Sequence, residues 1–192
     1  MRARLITREI IPFFASFAAL VVATLLLDGL LHWLKLVWIG RYLGIVGVLL
    51  VLFSFRYSLR KRKLIASGNP VTLLRWHEYL AWLGSLLILV HAGIHFNSIL
   101  GWLAVGAMLV NIGSGLAGKY LLARARQRML DARQTMLRRG VPEAELEERV
   151  FVDTIAFDVV KQWRSVHFPI TLAFGVLALA HTIAVFIFWG WK

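Results

Sequence analysis

Residues 74–96, LRWHEYLAWLGSLLILVHAGIHF, form an apolar run that carries three histidines. Taken from residue 72 to residue 95, the run is long enough for a transmembrane helix, which needs about 20 residues. His77 and His91 stand in it with the spacing His-x13-His. Because an α-helix turns about 100° and rises about 1.5 Å per residue, the two histidines are expected on nearly one face, about 21 Å apart along the axis.

A second apolar stretch repeats this interval. Residues 163–181, WRSVHFPITLAFGVLALAH, hold His167 and His181, again with the spacing His-x13-His. If the two helices run in the same direction and face each other, the four imidazoles form two levels with one histidine from each helix. We therefore expect His77 to pair with His167 at one level and His91 with His181 at the other.

The composition of the chain places it in a membrane. Of its 192 residues, 59% are hydrophobic and 17% are charged, and the mean hydropathy is +0.72. A soluble domain is about half apolar and about a quarter charged. The surplus apolar surface must face lipid, which excludes a soluble enzyme, a nucleic-acid-binding domain and a disordered protein. The absence of cysteine excludes disulfides, thiolate nucleophiles, iron–sulfur clusters and covalently attached haem.

Five segments are apolar over a length that can cross a bilayer. The first is predicted to be a retained helix, because it is too long for the core of a signal peptide. The sequence thus predicts an all-α membrane protein, a five-helix transmembrane bundle that forms one domain over residues 1–192. The predicted spans are residues 10–30, 38–56, 72–95, 98–120 and 166–190.

Basic residues predict the orientation of the bundle. With the N-terminus inside, 19 of the 22 lysines and arginines fall on the inner side of the five spans. Cytoplasmic segments carry such an excess. We expect a multi-pass protein of the inner (cytoplasmic) membrane, with its N-terminus in the cytoplasm and its C-terminus outside.

The segment 120–163 differs from the spans. Its first half is a basic helix, Gly140 and Pro142 interrupt it, and EAELEE starts a second helix. We predict a cytoplasmic helical hairpin, or one bent helix, inserted between spans four and five. A docking surface for a partner is one interpretation, and an arm that lies on anionic lipid is the other.

Two imidazoles that face each other in a helix bundle suit a haem with two axial histidines. We predict two haem b groups, with His77 and His167 on the inner iron and His91 and His181 on the outer one. Gly84 and Phe174 stand midway in their histidine pairs. We expect Gly84 to leave room for the porphyrin edges and Phe174 to project between the haems.

Other interpretations of the histidines stay open. Histidines in a membrane helix can bond a neighbour, line a wet cavity or relay protons. A relay needs a continuous polar path, and Glu78 is the only acid in the third span. His95 lies one turn after His91 and could replace it as a ligand, stabilise a propionate or line a quinone pocket. His32 is expected at the outer interface.

Haem propionates need cationic partners. Arg75 and Arg164 lie two and three residues before the inner ligands and are the favoured candidates, with Arg56 and Arg60 nearby. The alternative is that these arginines only mark the inner boundary of the membrane.

The spacing His-x13-His on two parallel helices resembles the dihaem cores of b-type cytochromes. These include the cytochrome b of quinol-oxidising complexes and the ferric-reductase-like transmembrane family, to which the placement on spans three and five is more similar. The resemblance covers about residues 38–190 in architecture and implies haems that pass electrons across the membrane. In the ferric-reductase-like group these electrons come from a cytoplasmic flavin domain.

The chain shows no nucleotide-binding motif. The resemblance therefore implies a separate donor or acceptor, either a quinone or a redox subunit such as a flavoprotein, an iron–sulfur protein or a multihaem cytochrome. We expect an electron-transfer subunit, either non-catalytic or quinone-reactive, that contacts membrane lipid and no nucleic acid. The alternative is a haem-free transporter or membrane anchor whose histidines carry protons or bind a metal.

Overall fold

A computed structural model describes residues 10–94, 98–140 and 143–188, and in these residues the chain is helical without strands. We number the α-helices in chain order. A 3₁₀ turn, Val37–Ile39, precedes the second, and a π-helical segment, Ala117–Leu122, joins the fourth to the fifth. The helices are α1 (Ile11–Trp33), α2 (Gly40–Lys61), α3 (Pro70–Ile94), α4 (Ile99–Leu116), α5 (Ala123–Arg138) and α6 (Glu143–Phe188).

Five helical segments are long and apolar enough to cross a membrane, which confirms the all-α multi-span prediction in its coarse form. The largest difference from the predicted bounds is at the second span, which continues to Lys61 instead of ending at residue 56. Arginine and lysine are good helix formers, so a cluster of them marks a membrane boundary without ending the helix. The spans are Ile11–Trp33, Val37–Lys61, Pro70–Ile94, Ile99–Tyr120 and Val166–Phe188.

The apolar side chains along these spans are mostly exposed. In the most apolar window of each span, between 6% and 22% of the residues are buried within the chain. Leu26 is 69% exposed, Phe53 70% and Leu179 61%. In water such a surface would be strongly unfavourable, since each Å² of exposed apolar area costs about 25 cal/mol. This surface is suited to lipid contact.

Helices α2 and α3 make the most extensive helix–helix contact in the described residues, and they pack antiparallel. Small residues line their interface: a Cβ added at Gly47 would meet the carbonyl oxygen of Gly84, and one added at Gly84 would meet the carbonyl oxygen of Gly47. Glycines at such positions allow two helix backbones to approach closely in lipid. Gly47 and Gly84 therefore allow the close approach of α2 and α3.

The region after the fourth span is helical almost throughout. The π-helical segment leads directly into α5, and Gly140, with φ +72°, stands in the turn that follows α5. Helix α6 then runs for 46 residues, so the second helix predicted in the segment 120–163 is continuous with the fifth span. Pro169 lies inside α6 and removes one backbone N–H from its hydrogen-bond ladder.

The chain divides into two compact units. One combines the chain up to Phe17 with Leu109–Ala173, and in it Ser16 and Tyr120 share a hydrogen bond of 3.0 Å. The other combines Ala18–Met108 with the chain from Phe174 onward. His167 belongs to the first unit, whereas His77, His91 and His181 belong to the second.

Candidate functional site

The backbone of α2 holds both histidines of α3. The Nδ1 atom of His77 lies 3.2 Å from the carbonyl oxygen of Ser54, and that of His91 lies 2.8 Å from the carbonyl oxygen of Gly40. A carbonyl oxygen can only accept a hydrogen bond, so Nδ1 is the donor in both rings. In the neutral imidazole the lone pair is then on Nε2, which is the nitrogen that can coordinate a metal.

A glycine makes room for the His91 ring. A Cβ added at Gly44 would lie 2.8 Å from two ring carbons of His91 and 3.0 Å from its Nδ1, closer than real Cβ contacts allow. The imidazole therefore lies directly against the backbone of α2. Because Gly40 supplies the acceptor and Gly44 the space, these two glycines fix the position of the ring.

His181 is held by Ser98, the residue directly before α4. Its Nδ1 lies 2.8 Å from Oγ of Ser98, and this hydroxyl oxygen also accepts the backbone N–H of Gly101 at 3.1 Å. Ser98 thus caps the start of α4 and contacts the histidine with the same atom. A hydroxyl oxygen has two acceptor sites, so it can accept from the His181 Nδ1–H and the Gly101 amide together.

His167 has a similar contact in the other unit. The Ser114 hydroxyl donates to the carbonyl oxygen of Asn111 at 2.8 Å and shares a hydrogen bond with Nδ1 of His167. Since the single hydroxyl proton of Ser114 is used on Asn111, Nδ1 of His167 is the donor to Ser114. The Thr171 hydroxyl lies 2.8 Å from Asn111 Oδ1 and 2.7 Å from the carbonyl oxygen of His167, and it extends the polar network around this histidine.

His91 and His181 come together in their unit. Their ring centres are 6.4 Å apart, with 65° between the ring planes. A metal–imidazole bond is about 2.0 Å and a ring nitrogen lies about 1.2 Å from the ring centre, so two imidazoles on opposite sides of one metal have centres about 6.4 Å apart. The observed separation of the ring centres is therefore the one expected for such a pair.

The donor set that the structure describes at this pair is two imidazoles, each with an oxygen atom at its Nδ1. Histidines that bind a metal donate their other ring N–H to a carbonyl, carboxylate or similar acceptor, which fixes the tautomer and the orientation of the ring. Protein metal sites usually supply three or four side chains. Among the described residues no group of three His, Asp or Glu side chains could hold a metal ion. A pair of imidazoles suits a metal whose other ligands come from a porphyrin.

Several predicted site residues stay untested. His77 and His167 lie in different units, so their pairing remains a prediction, and His95 lies outside the described residues. The Arg75 side chain is exposed, and that of Arg164 lies outside the described side chains. Their role as propionate partners remains a prediction.

The midpoint residues have different surroundings. Phe174 is buried, with 5% of its surface exposed. The nearest atoms to a Cβ added at Gly84 belong to Gly47, Val51 and Leu50 of α2. The contact that the structure gives Gly84 is thus helix packing, whereas its place beside a porphyrin, opposite Phe174, remains a prediction.

The sequence reasoning missed the residues that hold the rings. Gly40 and Ser54 on α2 are separated by the same interval as His91 and His77, which they contact. Gly101 and Gly115 repeat this interval, and added Cβ atoms there would approach His181 and His167 at 3.5 and 3.7 Å. A search for the histidine interval on the neighbouring spans could have found these small residues.

No family model matches the chain, and neither does any curated protein or solved structure.

Proposed function

We propose that this chain is a membrane-embedded b-type cytochrome subunit that carries electrons across the bilayer through two haems, each with two histidine ligands. The observation that carries the proposal is the pair of His91 and His181, whose ring centres are 6.4 Å apart. Each of these rings has its Nδ1 atom at an oxygen of a neighbouring segment. This arrangement supports ligation through Nε2.

Bound haem supplies an iron that changes oxidation state by one electron. The chain's own residues orient the ligands. The carbonyl oxygens of Ser54 and Gly40 hold His77 and His91, and the hydroxyls of Ser114 and Ser98 hold His167 and His181. Three of these oxygen atoms belong to a different helix from the histidine that they contact, and the fourth belongs to Ser98, directly before α4. The packing of the helices therefore sets the direction of each Nε2 atom.

The electron partners follow from the same proposal. The donor and acceptor are a quinone or an outer haem protein on one side and a redox subunit on the other, such as a flavoprotein, an iron–sulfur protein or a multihaem cytochrome. We place the chain in the inner membrane with its N-terminus in the cytoplasm. The support is the excess of lysine and arginine in the segments assigned to the inside.

A haem-free proton transporter is the second candidate, and one observation favours it. The Oδ1 atom of Asp28, in α1, is buried and has no hydrogen-bond partner among the described residues. It lies 3.7 Å from Nδ1 of His32. Ionisable groups inside membrane spans often carry protons.

The visible spectrum of the purified protein separates these two functions. We expect a red preparation with a sharp α band of reduced haem b. The histidine variants His91→Ala and His181→Ala should weaken this band, while His32→Ala should not. A stable, colourless preparation would exclude the cytochrome and leave the transporter or membrane anchor.

A further inference from the structure

A cavity of about 500 Å³ lies between the end of α2 and the start of α3. Small-molecule sites measure about 300–1,000 Å³. The cavity is contained in the unit built from Ala18–Met108 and the chain from Phe174 onward. The lining residues are Phe53, Ser54, Arg56, Tyr57, Gly68, Asn69, Thr72, Leu73, Trp76, His77 and Leu80.

The polar groups of the cavity favour an anion. Arg56 supplies a guanidinium, and Asn69 and Thr72 add an amide and a hydroxyl. Asn69 Oδ1 accepts the backbone N–H of Val71 at 2.9 Å, so the amide nitrogen of Asn69 is the atom left to donate to a ligand. None of the described lining residues is acidic. A phosphate diester would gain charge-assisted hydrogen bonds here.

The remaining walls are apolar and continuous with the surface that faces lipid. Phe53 is 70% exposed and Trp76 is 58% exposed, and both line the cavity. Leu80 lies one turn further along α3, toward the middle of the span. A ligand in the cavity thus meets a cationic end and an apolar side, as a phospholipid at the membrane boundary does.

The cavity lies at a strongly basic boundary. The C-terminal end of α2 and the residue after it carry Arg60, Lys61 and Arg62, and the Arg60 Nε–H donates to the carbonyl oxygen of Gly68 at 3.2 Å. This bond ties the connecting loop to the helix beside the cavity. Basic pockets between transmembrane helices bind the head groups of anionic lipids.

We propose that this cavity binds one anionic phospholipid, with its phosphate at Arg56 and Asn69 and an acyl chain along Phe53 and Leu80. The proposal requires a membrane-spanning chain but no haem. It assigns the cavity a ligand distinct from the cofactor. Tyr57 and His77 lie in the wall of the cavity, with ring centres 5.6 Å apart. The lipid would therefore contact His77, a candidate haem ligand, on the side of the ring that faces α2.

Lipid retention tests this proposal. The full-length protein is reconstituted into vesicles of equal amounts of phosphatidylcholine and phosphatidylglycerol, re-extracted in a neutral detergent, and its retained lipid is quantified by mass spectrometry. We expect about one phosphatidylglycerol per chain in the wild type and a loss of several-fold in Arg56→Gln. Arg41→Gln is the matched control, because Arg41 lies at the other end of α2.

A second variant covers the case in which Arg56→Gln does not fold. Thr72→Trp fills the cavity and should also lose the lipid, whereas Val71→Trp, whose wild-type side chain is 61% exposed and does not line the cavity, should keep it. Equal retention of both lipids by the wild type, or unchanged retention in the two cavity variants, would overturn the proposal. So would a loss of haem in Arg56→Gln with its lipid kept, since the cavity would then serve the cofactor.

Discussion

The four candidate histidines are each held at Nδ1, but two kinds of oxygen atom contact them. His77 and His91 use backbone carbonyls of α2, which no side-chain substitution removes. His167 and His181 use the hydroxyls of Ser114 and Ser98, which a substitution can remove. The serines therefore allow the role of the second contact to be measured without changing a ligand.

Removing the Ser98 hydroxyl should weaken one haem site. Ser98→Gly keeps a residue that is tolerated as a helix cap, at a cost of only a few tenths of a kcal/mol, but loses the hydroxyl that contacts His181. Loss of such a contact typically costs about 10–100-fold in metal affinity. We expect a corresponding drop in the affinity for the outer haem and a shifted midpoint potential.

Ser98→Thr, which keeps a hydroxyl, should restore both properties. Haem titration and potentiometry are the measurements. Wild-type affinity and potential in Ser98→Gly would mean that Ser98 acts only at the start of α4.

Replacement of a single ligand should remove one haem and leave the other. In His181→Ala the outer iron loses one of its two histidine ligands, whereas the inner iron keeps both His77 and His167. The pyridine haemochrome assay should give about half of the wild-type haem per chain. His32→Ala is the control, because His32 is exposed and bonds within its own helix, to the Asp28 carbonyl. Two low-spin haems in His181→Ala would remove it from the ligand set.

Among the helices, the contact between α2 and α3 shows which part of the site a sequence can predict. The histidine interval and the apolar runs are visible because helix period and bilayer thickness constrain them directly. The hydrogen-bond acceptors of His77 and His91 cannot be recognised in the sequence, because Gly40 and Ser54 act through their backbone carbonyl oxygens and every residue type has one. Gly84 was predicted to leave room for a cofactor, yet its nearest neighbours belong to α2.

A bulky residue at position 84 should separate α2 from α3. A Cβ at Gly84 would lie 2.8 Å from the carbonyl oxygen of Gly47, which is closer than Cβ atoms approach other atoms in real structures. Overpacking of this kind costs about 1–3 kcal/mol. Gly84→Leu should lower the thermal stability of the protein and release haem from His77 and His91 together. Gly106→Leu, where a Cβ meets no atom within 4 Å, is the control and should change neither. Thermal unfolding and haem content measure both; full stability of Gly84→Leu would contradict this packing.

The segment 120–163 is the element for which we expect a partner. It is basic in its first half and acidic in EAELEE, and through α6 it is continuous with the helix that carries His167. Replacing it by a short loop should abolish copurification of a cytoplasmic redox subunit and electron transfer to it. If both are unaffected and only the binding to anionic vesicles falls, the segment is a lipid-binding arm.

For the whole molecule, composition predicts the class, because 59% hydrophobic residues cannot be buried inside a chain of this length, and the positions of the apolar runs predict five spans. The arrangement of the spans is less accessible to the sequence. In a soluble protein, polar residues mark the exposed face of a helix and apolar residues the buried face. In a membrane span both the lipid-facing and the helix-facing positions are apolar, so the sequence distinguishes them only weakly. The pairing of His91 with His181 could be expected from the shared interval, whereas the division of the chain into two units could not.

The haem content of the purified wild-type protein decides whether the chain is a dihaem cytochrome. We expect two haem b per chain by pyridine haemochrome assay and protein quantification. Both should give low-spin ferric signals in electron paramagnetic resonance that are typical of two imidazole ligands. A folded, monodisperse protein that contains no haem after expression with ample haem supply would exclude a cytochrome.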